Sequence, residues 1–443
     1  MFIVNNKELE KFIKHKYTPQ DIRLLSHFLI EKGTFYFSAL DNGLFPAASA
    51  VSAENTGYSY VWVRDNIYVA YAHYILGQVD IAVKNVLTLM SYFKKHKFRF
   101  ESIIDGRADP AIAMNRPHIR FNGQLLLEVD ESWEHAQNDA LGYFLWFYCK
   151  LASEGHFSLH QDDIEMLGLF PLYFQAVQYW KDEDSGHWEE GRKIEASSIG
   201  VAVAGLRALK QLFSDPLFDS HCCLNKDELV TPHLLDELIS NGEFTLSEIL
   251  PAECIQSKPK ERRFDGALLF LIYPLNVLNE EVSDKIIQDI KTNLQGEYGI
   301  PRYLGDSFWC RNFFADLPEN IQTSISTERE AWLEANNKTV KQGEEAQWCI
   351  FDPIISVIYG VKFQKKRCEA DLEQQIYYLN RALGQVTGEN CKVGKYNIEQ
   401  FKCPELYYIQ DDKYIPNVST PLLWTQANLM IALKSIEQSL MLV

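Results

Sequence analysis

The sequence predicts an all-α fold in which pairs of helices close into a barrel. Three observations carry the prediction. Apolar residues recur at the spacing of one helix face in the segments 21–40, 65–78, 80–95, 135–153, 160–180, 196–213, 266–278, 282–294, 344–360, 368–384 and 420–438. These segments are joined by loops of very unequal length and show no strict period, which suits helix pairs and not a short-repeat solenoid. Hydrophobic content of 47% and aromatic content of 13% supply a large core and exclude a disordered chain.

Local signals agree along the chain. Pro19-Gln20-Asp21 and Ser283-Asp284 are expected to open helices, and Gly77, Gly155 and Gly360 to lie at or beyond helix ends. A length of 443 residues could hold two or three average domains but also suits one large toroid. The chain is read as a single domain over 1–443, with residues 1–45 as an N-terminal helical extension. Long loops at 41–64, 96–133, 181–194, 296–316 and 388–420 are expected to build a concave mouth at one end.

Bulk charge narrows the partners. With 43 basic against 60 acidic residues and a net charge of −17, the surface repels nucleic acid and anionic membranes, whereas a neutral oligosaccharide meets no such barrier. The longest apolar run, Ala267 to Leu275, is too short to span a bilayer and contains Pro274. The amino terminus turns charged at Lys7-Glu8 and lacks a secretory signal, and nine cysteines, an odd number, fit free thiols; a cytoplasmic protein is expected. Cys222-Cys223 has no second pair at zinc-ligand spacing and is read as structural. No glycine-rich phosphate loop and no C-x-x-C spacing is present, so neither metal nor cofactor is expected. Oligomeric state is not assigned by any feature of the sequence.

The stretch Tyr58-Ser59-Tyr60-Val61-Trp62-Val63-Arg64-Asp65 gathers rings, a guanidinium and a carboxylate within a short span. If extended, it points Tyr58, Tyr60, Trp62 and Arg64 the same way. Flat rings can cover the apolar faces of a pyranose, and Arg64 with Asp65 can fork hydrogen bonds to adjacent hydroxyls. A buried strand ended by an Arg64–Asp65 pair is the plainer alternative.

Inverting hydrolysis of a glycosidic bond needs a carboxylic acid and a carboxylate about 6.5–9.5 Å apart, with the acid desolvated so that it keeps its proton. A glutamate beside a tryptophan in a loop, as in His187-Trp188-Glu189-Glu190-Gly191, offers such a setting; a solvated acidic loop is the alternative. Its partner has to come from far along the chain, and Cys403-Pro404-Glu405-Leu406-Tyr407-Tyr408 is the best candidate.

Together these strings resemble the glucoamylases, glycoside hydrolase family 15, and also the glucoamylase-like region of the phosphorylase kinase alpha and beta subunits. The resemblance implies an (α/α)6 barrel of six helical hairpins. It implies that Glu189 is the general acid and Glu190 a sugar contact, because W-E-E matches the hydrolases where the kinase subunits have a string like W-E-R-G. It implies that Glu405 is the general base, although P-E-L-Y-Y follows the kinase subunits where hydrolases have P-E-Q or A-E-Q. Trp133-Glu134-His135-Ala136-Gln137-Asn138-Asp139-Ala140-Leu141 resembles W-G-x-x-Q-x-D-A-L, with Trp133 packed over the acid. Gly299 to Asp306 resembles the R-Y-x-x-D loop, with Arg302 reaching sugar hydroxyls, and Pro421-Leu422-Leu423-Trp424 resembles the start of the last helix, with Trp424 at the first subsite. The motifs keep the family's order from 58 to 424, with weak stretches at 1–45 and 215–260.

Tyr58, Trp62, Arg64, Asp65, Trp133, Trp188, Glu190, Arg302 and Trp424 are thereby the expected substrate contacts. The opening motif leaves no room for the amino-terminal β-sandwich of bacterial members, so the catalytic barrel alone is expected. The resulting expectation is an inverting α-glucosidase that releases glucose from the non-reducing end of a neutral α-glucan or oligosaccharide without a cofactor. The alternative is a non-catalytic carbohydrate-binding or regulatory protein of the phosphorylase kinase type, favoured by Leu406-Tyr407-Tyr408.

Overall fold

The computed structural model describes residues 2–47, 59–214, 230–322, 326–394 and 396–443. Its architecture is an (α/α)6 barrel. In chain order the barrel helices are α1 (Pro19–Glu31), α2 (Val63–Ile75), α3 (Val79–Lys95), α4 (Asn138–Ser153), α5 (Gln161–Val177), α6 (Ala196–Phe213), α7 (Pro232–Ile249), α8 (Leu268–Ile272), α9 (Glu280–Asn293), α10 (Phe351–Lys366), α11 (Glu369–Gly384) and α12 (Leu423–Leu440). Five pairs are sequential, α2 with α3 through α10 with α11, and the sixth joins α12 to α1. The inner ring runs α2–α4–α6–α8–α10–α12 and returns to α2, so both ends of the chain are needed to close it.

Composition separates the two rings. Inner helices are buried nearly all round: α2 is buried from Val63 to His73, and α12 buries Leu423 through Leu433. Outer helices carry one apolar stripe; α9 buries Ile286, Ile287 and Ile290 and leaves Glu280, Glu281, Asp284, Lys285 and Gln288 exposed. Where α4 and α6 cross, glycines permit backbone contact: a Cβ on Gly142 would lie 2.7 Å from the Val201 carbonyl, and one on Gly205 would lie 2.8 Å from the Gly142 carbonyl.

Helix ends follow local chemistry. Thr18 caps α1 in a capping box with Asp21, and Pro19 occupies the first turn as expected. Gly77 and Gly155, with φ of 80° and 75°, follow α2 and α4. Three expectations need correction. α9 opens at Glu280 under an Asn279 cap, one turn before Ser283-Asp284. Gly360 lies inside α10, pressed against Gln375 of α11, and ends nothing. The segment 266–278 is helical only over Leu268–Ile272, because Tyr273 turns extended ahead of Pro274. α7 falls in the stretch 215–260 where the periodic reading placed no helix, although Thr231 caps it and Pro232 opens it. Cys222-Cys223 lies outside the described residues.

Short strands sit just before the inner helices. β1 (Val61–Trp62) pairs with β2 (Arg120–Asn122), which pairs with β3 (Leu127–Glu128). β4 (Gln347–Trp348) pairs with β5 (Leu406–Gln410), and β5 with β6 (Lys413–Pro416). The expected helix 344–360 therefore starts only at Phe351, its first residues being drawn into this sheet. Tyr68, Phe270 and Trp424, from α2, α8 and α12, pack with ring centroids 4.9–5.4 Å apart and plug the barrel. A smaller apolar cluster, Cys310, Phe313, Leu317 and Ile321 with Trp332, stands apart from this core.

Candidate active site

Every inner helix delivers polar or aromatic side chains from its N-terminal end or the residues just before it. Arg64 and Asp65 lie in the first turn of α2, Asp139 in that of α4, Trp188 and Glu189 ahead of α6, Asp265 ahead of α8, Trp348 ahead of α10, and Trp424 in the first turn of α12. Arg64, Asp65, Trp188, Glu189, Trp348 and Trp424 of this set share one space. Extended geometry covers only Val61–Trp62; Arg64 belongs to a helix, yet it still reaches the same space as Trp62.

That space is a cavity of about 280 Å³. Its lining includes Glu189 and Glu405, together with Trp62, Arg64, Asp65, Trp133, Trp188, Arg302 and Trp424. Of the remaining two expected contacts, only Glu190 is among the described residues. Tyr58 lies outside the described residues. Glu190 does not line the cavity: its carboxylate accepts from Arg302 Nη2 at 2.9 Å, Arg262 Nη2 at 2.9 Å and the Tyr303 hydroxyl. Burial pushes the Glu190 carboxyl up, but Arg262 and Arg302 outweigh it and hold it down at about 2, as an internal counter-ion.

The loop bearing Glu189 is clamped. Arg64 Nε donates to Asp139 at 2.7 Å, and its Nη2 donates to Gln137 at 2.7 Å and to the Gly186 carbonyl at 3.0 Å. Its Nη1 stands 3.9 Å from Glu189 Oε1. Trp188 Nε1 donates to Asp265 at 2.9 Å, and His187 bridges Tyr143 at 2.9 Å and Ser197 at 3.1 Å. Burial depresses His187 to about 3, leaving it a neutral link. Glu189 itself has φ of 58°, a left-handed conformation unusual for a side chain of this size and tolerated because the surrounding bonds fix it.

Protonation states follow from desolvation. Burial raises the Glu189 carboxyl, against the nearby Arg64 guanidinium. Asp65 is pushed up to about 7, foremost by burial; Arg64 opposes this, and the neighbouring Glu189 and Glu405 carboxylates add to it. Glu405 precedes β5 and accepts from Asn417 Nδ2.

Residues that no motif pointed to complete the wall. The Arg120 guanidinium lies over Trp133 at 4.0 Å and Tyr60 at 4.5 Å, and Phe308, Arg329 and Trp348 line the cavity. Trp348 had been read into a helix, and Arg120 becomes visible as a site residue only when β2 pairs with β1. Among the described residues, the buried indole N–H groups of Trp133, Trp348 and Trp424 and the Glu189 Oε1 have no hydrogen-bond partner. Each such group costs about 1–3 kcal/mol while unsatisfied. No described residues form a cluster able to hold a metal ion, and no described helix is long and apolar enough to cross a membrane.

Comparison with known proteins gives a consistent picture. A profile described as glycosyl hydrolases family 15 matches residues 30–398. The phosphorylase b kinase regulatory subunit alpha, skeletal muscle isoform, of Oryctolagus cuniculus is 28% identical over 273 residues, 56% of this chain and 21% of that subunit. The chain thus spans about a fifth of that relative's length. A glycosidase variant solved in complex with glucose superimposes with TM-score 0.64 at 14% identity, covering 97% of this chain and 98% of the other. The glucoamylase from Saccharomycopsis fibuligera gives TM-score 0.57 at 12% identity, covering 99% and 97%.

Proposed function

The chain belongs to glycosyl hydrolases family 15, and we propose that it is an inverting α-glucosidase of the glucoamylase type, releasing glucose from the non-reducing end of a neutral α-glucan or oligosaccharide. The observation that carries this reading is the meeting of Glu189 and Glu405, from distant parts of the chain, on one open cavity. Glu189, its carboxyl raised by burial, keeps a proton to give to the departing glycosidic oxygen. Glu405 takes the proton of the water that attacks the anomeric carbon from the opposite face. Asp65, near neutrality by the same burial, both donates to and accepts from the terminal glucose hydroxyls. The rings of Trp62, Trp188 and Trp424 supply the apolar contacts of a pyranose.

The test is incubation with maltose, isomaltose, trehalose, starch and dextran, with NMR analysis of the anomer first released. β-Glucose is expected from at least one substrate. Glu189→Gln and Glu405→Gln should each lower kcat by about 10²–10⁴-fold while the melting temperature and glucose binding persist. Wild-type activity retained by either variant would reject the roles. A second reading, a sugar-binding or regulatory protein, is supported by the likeness to a phosphorylase kinase regulatory subunit and by Leu406 after the base. Sugar binding without hydrolysis across the whole panel would decide for it.

A further inference from the structure

We propose that Asn417 is the positioning residue of Glu405, holding its carboxylate ionised and aimed at the cavity; this rests on Glu405 being the general base. The residue after Glu405 cannot do so, because Leu406 is apolar and fully buried. The donor comes instead from the far end of the β5–β6 hairpin. Gln410 pairs with Lys413 across a two-residue turn in which Asp411 and Asp412 have φ of 49° and 60°, the left-handed geometry that matches strand twist. Register then carries Tyr407 opposite Pro416 and brings Asn417 opposite Leu406, where its N–H donates to the Leu406 carbonyl at 3.2 Å. From there Asn417 Nδ2 donates to Glu405 Oε2.

The direction of that bond is fixed by chemistry, since an ionised carboxylate only accepts and only the amide nitrogen can donate. Asn417 is fully buried, and the Thr420 hydroxyl anchors its carbonyl at 2.8 Å. It is not a cavity residue, so it holds the carboxylate from behind. Among the ionisable groups near Glu405 are Asp65 of α2 and Cys349 ahead of α10, whose backbone N–H donates to the Glu405 backbone carbonyl at 2.9 Å, with Glu189 on the same cavity wall. None of these donates a side-chain hydrogen bond that would favour the ionised form as the Asn417 amide does.

The experiment compares wild type, Asn417→Ala and the near-isosteric, uncharged Asn417→Leu with maltose as substrate, together with a ¹³C-carboxyl NMR titration of Glu405. Both variants are expected to move the acid limb of the kcat/KM profile upward by about one pH unit, the size of one lost charge-assisted bond. The Glu405 carboxyl resonance should move by a similar amount, with KM changed less than about twofold. Should Asn417→Ala fail to fold, Asn417→Leu decides. An unchanged acid limb and an unchanged carboxyl titration in an active enzyme would overturn the positioning role and leave the hydrolase reading standing. A wild type that binds maltose and cleaves no glucan overturns the base assignment, and this inference with it.

Discussion

Asp65 shows how burial at the cavity couples chemistry to stability. Its carboxyl ordinarily titrates at 3.8 and is raised to about 7 in the fold, chiefly by burial. Between those values the native chain keeps a proton that the unfolded chain has lost, so unfolding releases it and stability falls as pH rises. Asp65→Asn, neutral at every pH, removes that slope. Scanning calorimetry between about pH 4 and about pH 8 should therefore find the wild-type melting temperature declining more steeply than the variant's. Asp265, raised to about 6 by burial, contributes the same sign in both proteins and cancels in the comparison. Equal slopes would mean that Asp65 is ionised in the native cavity. Most of the rings, carboxylates and arginines that share this cavity were legible because they cluster in short strings of the sequence. The fate of Glu190 was not, since Arg262, Arg302 and Tyr303 reach it from loops distant in sequence and turn it into a counter-ion.

At the scale of elements, the α4–α6 crossing sets the spacing of the inner ring next to the acid loop. Gly142→Ala would drive a methyl to 2.7 Å from the backbone of Val201, which cannot swing aside without moving α6. A loss of about 1–3 kcal/mol is expected in urea unfolding, with sugar affinity weakened because Asp139 and Ser197 shift with their helices. Gly360→Ala meets only the side chains of Gln375 and Ser435, at 2.3 and 2.6 Å, which can rotate; its loss should be clearly smaller. A larger effect at Gly360 would contradict this ranking. The outer helices were readable from their single apolar stripe, and the inner ones from long apolar runs. α7 was missed although Leu234, Leu235, Leu238, Ile239 and Leu246 recur at helical spacing behind the Thr231-Pro232 start signal. The strands were missed because two or three residues are too few for a period to register, and their pairing partners lie far along the chain.

For the whole molecule, the decisive act is closure. α1 from the start of the chain is the outer partner of α12 from its end, and Gln426 of α12 donates to the Thr34 and Tyr36 carbonyls at 2.5 and 3.2 Å. The stretch read as an extension thus seals the ring that presents Trp424, and Leu423 N–H donates to the carbonyl of the cavity residue Ala47 at 3.2 Å. Leu25 and Leu29 of α1 are fully buried, and truncating each to alanine removes about 2–5 kcal/mol, a sum comparable with the whole stability of an ordinary domain. If closure is cooperative, the Leu25→Ala/Leu29→Ala protein should lose glucose binding and helical circular dichroism in one transition at a lower temperature, even though neither leucine lines the cavity. If α1 only decorates the surface, it should melt first and leave binding intact at temperatures where its own helicity is gone. The first outcome follows from the ring geometry, because α12 touches both α2 and α10 and cannot shift without separating the wall that bears Asp65 from the one that bears Trp348.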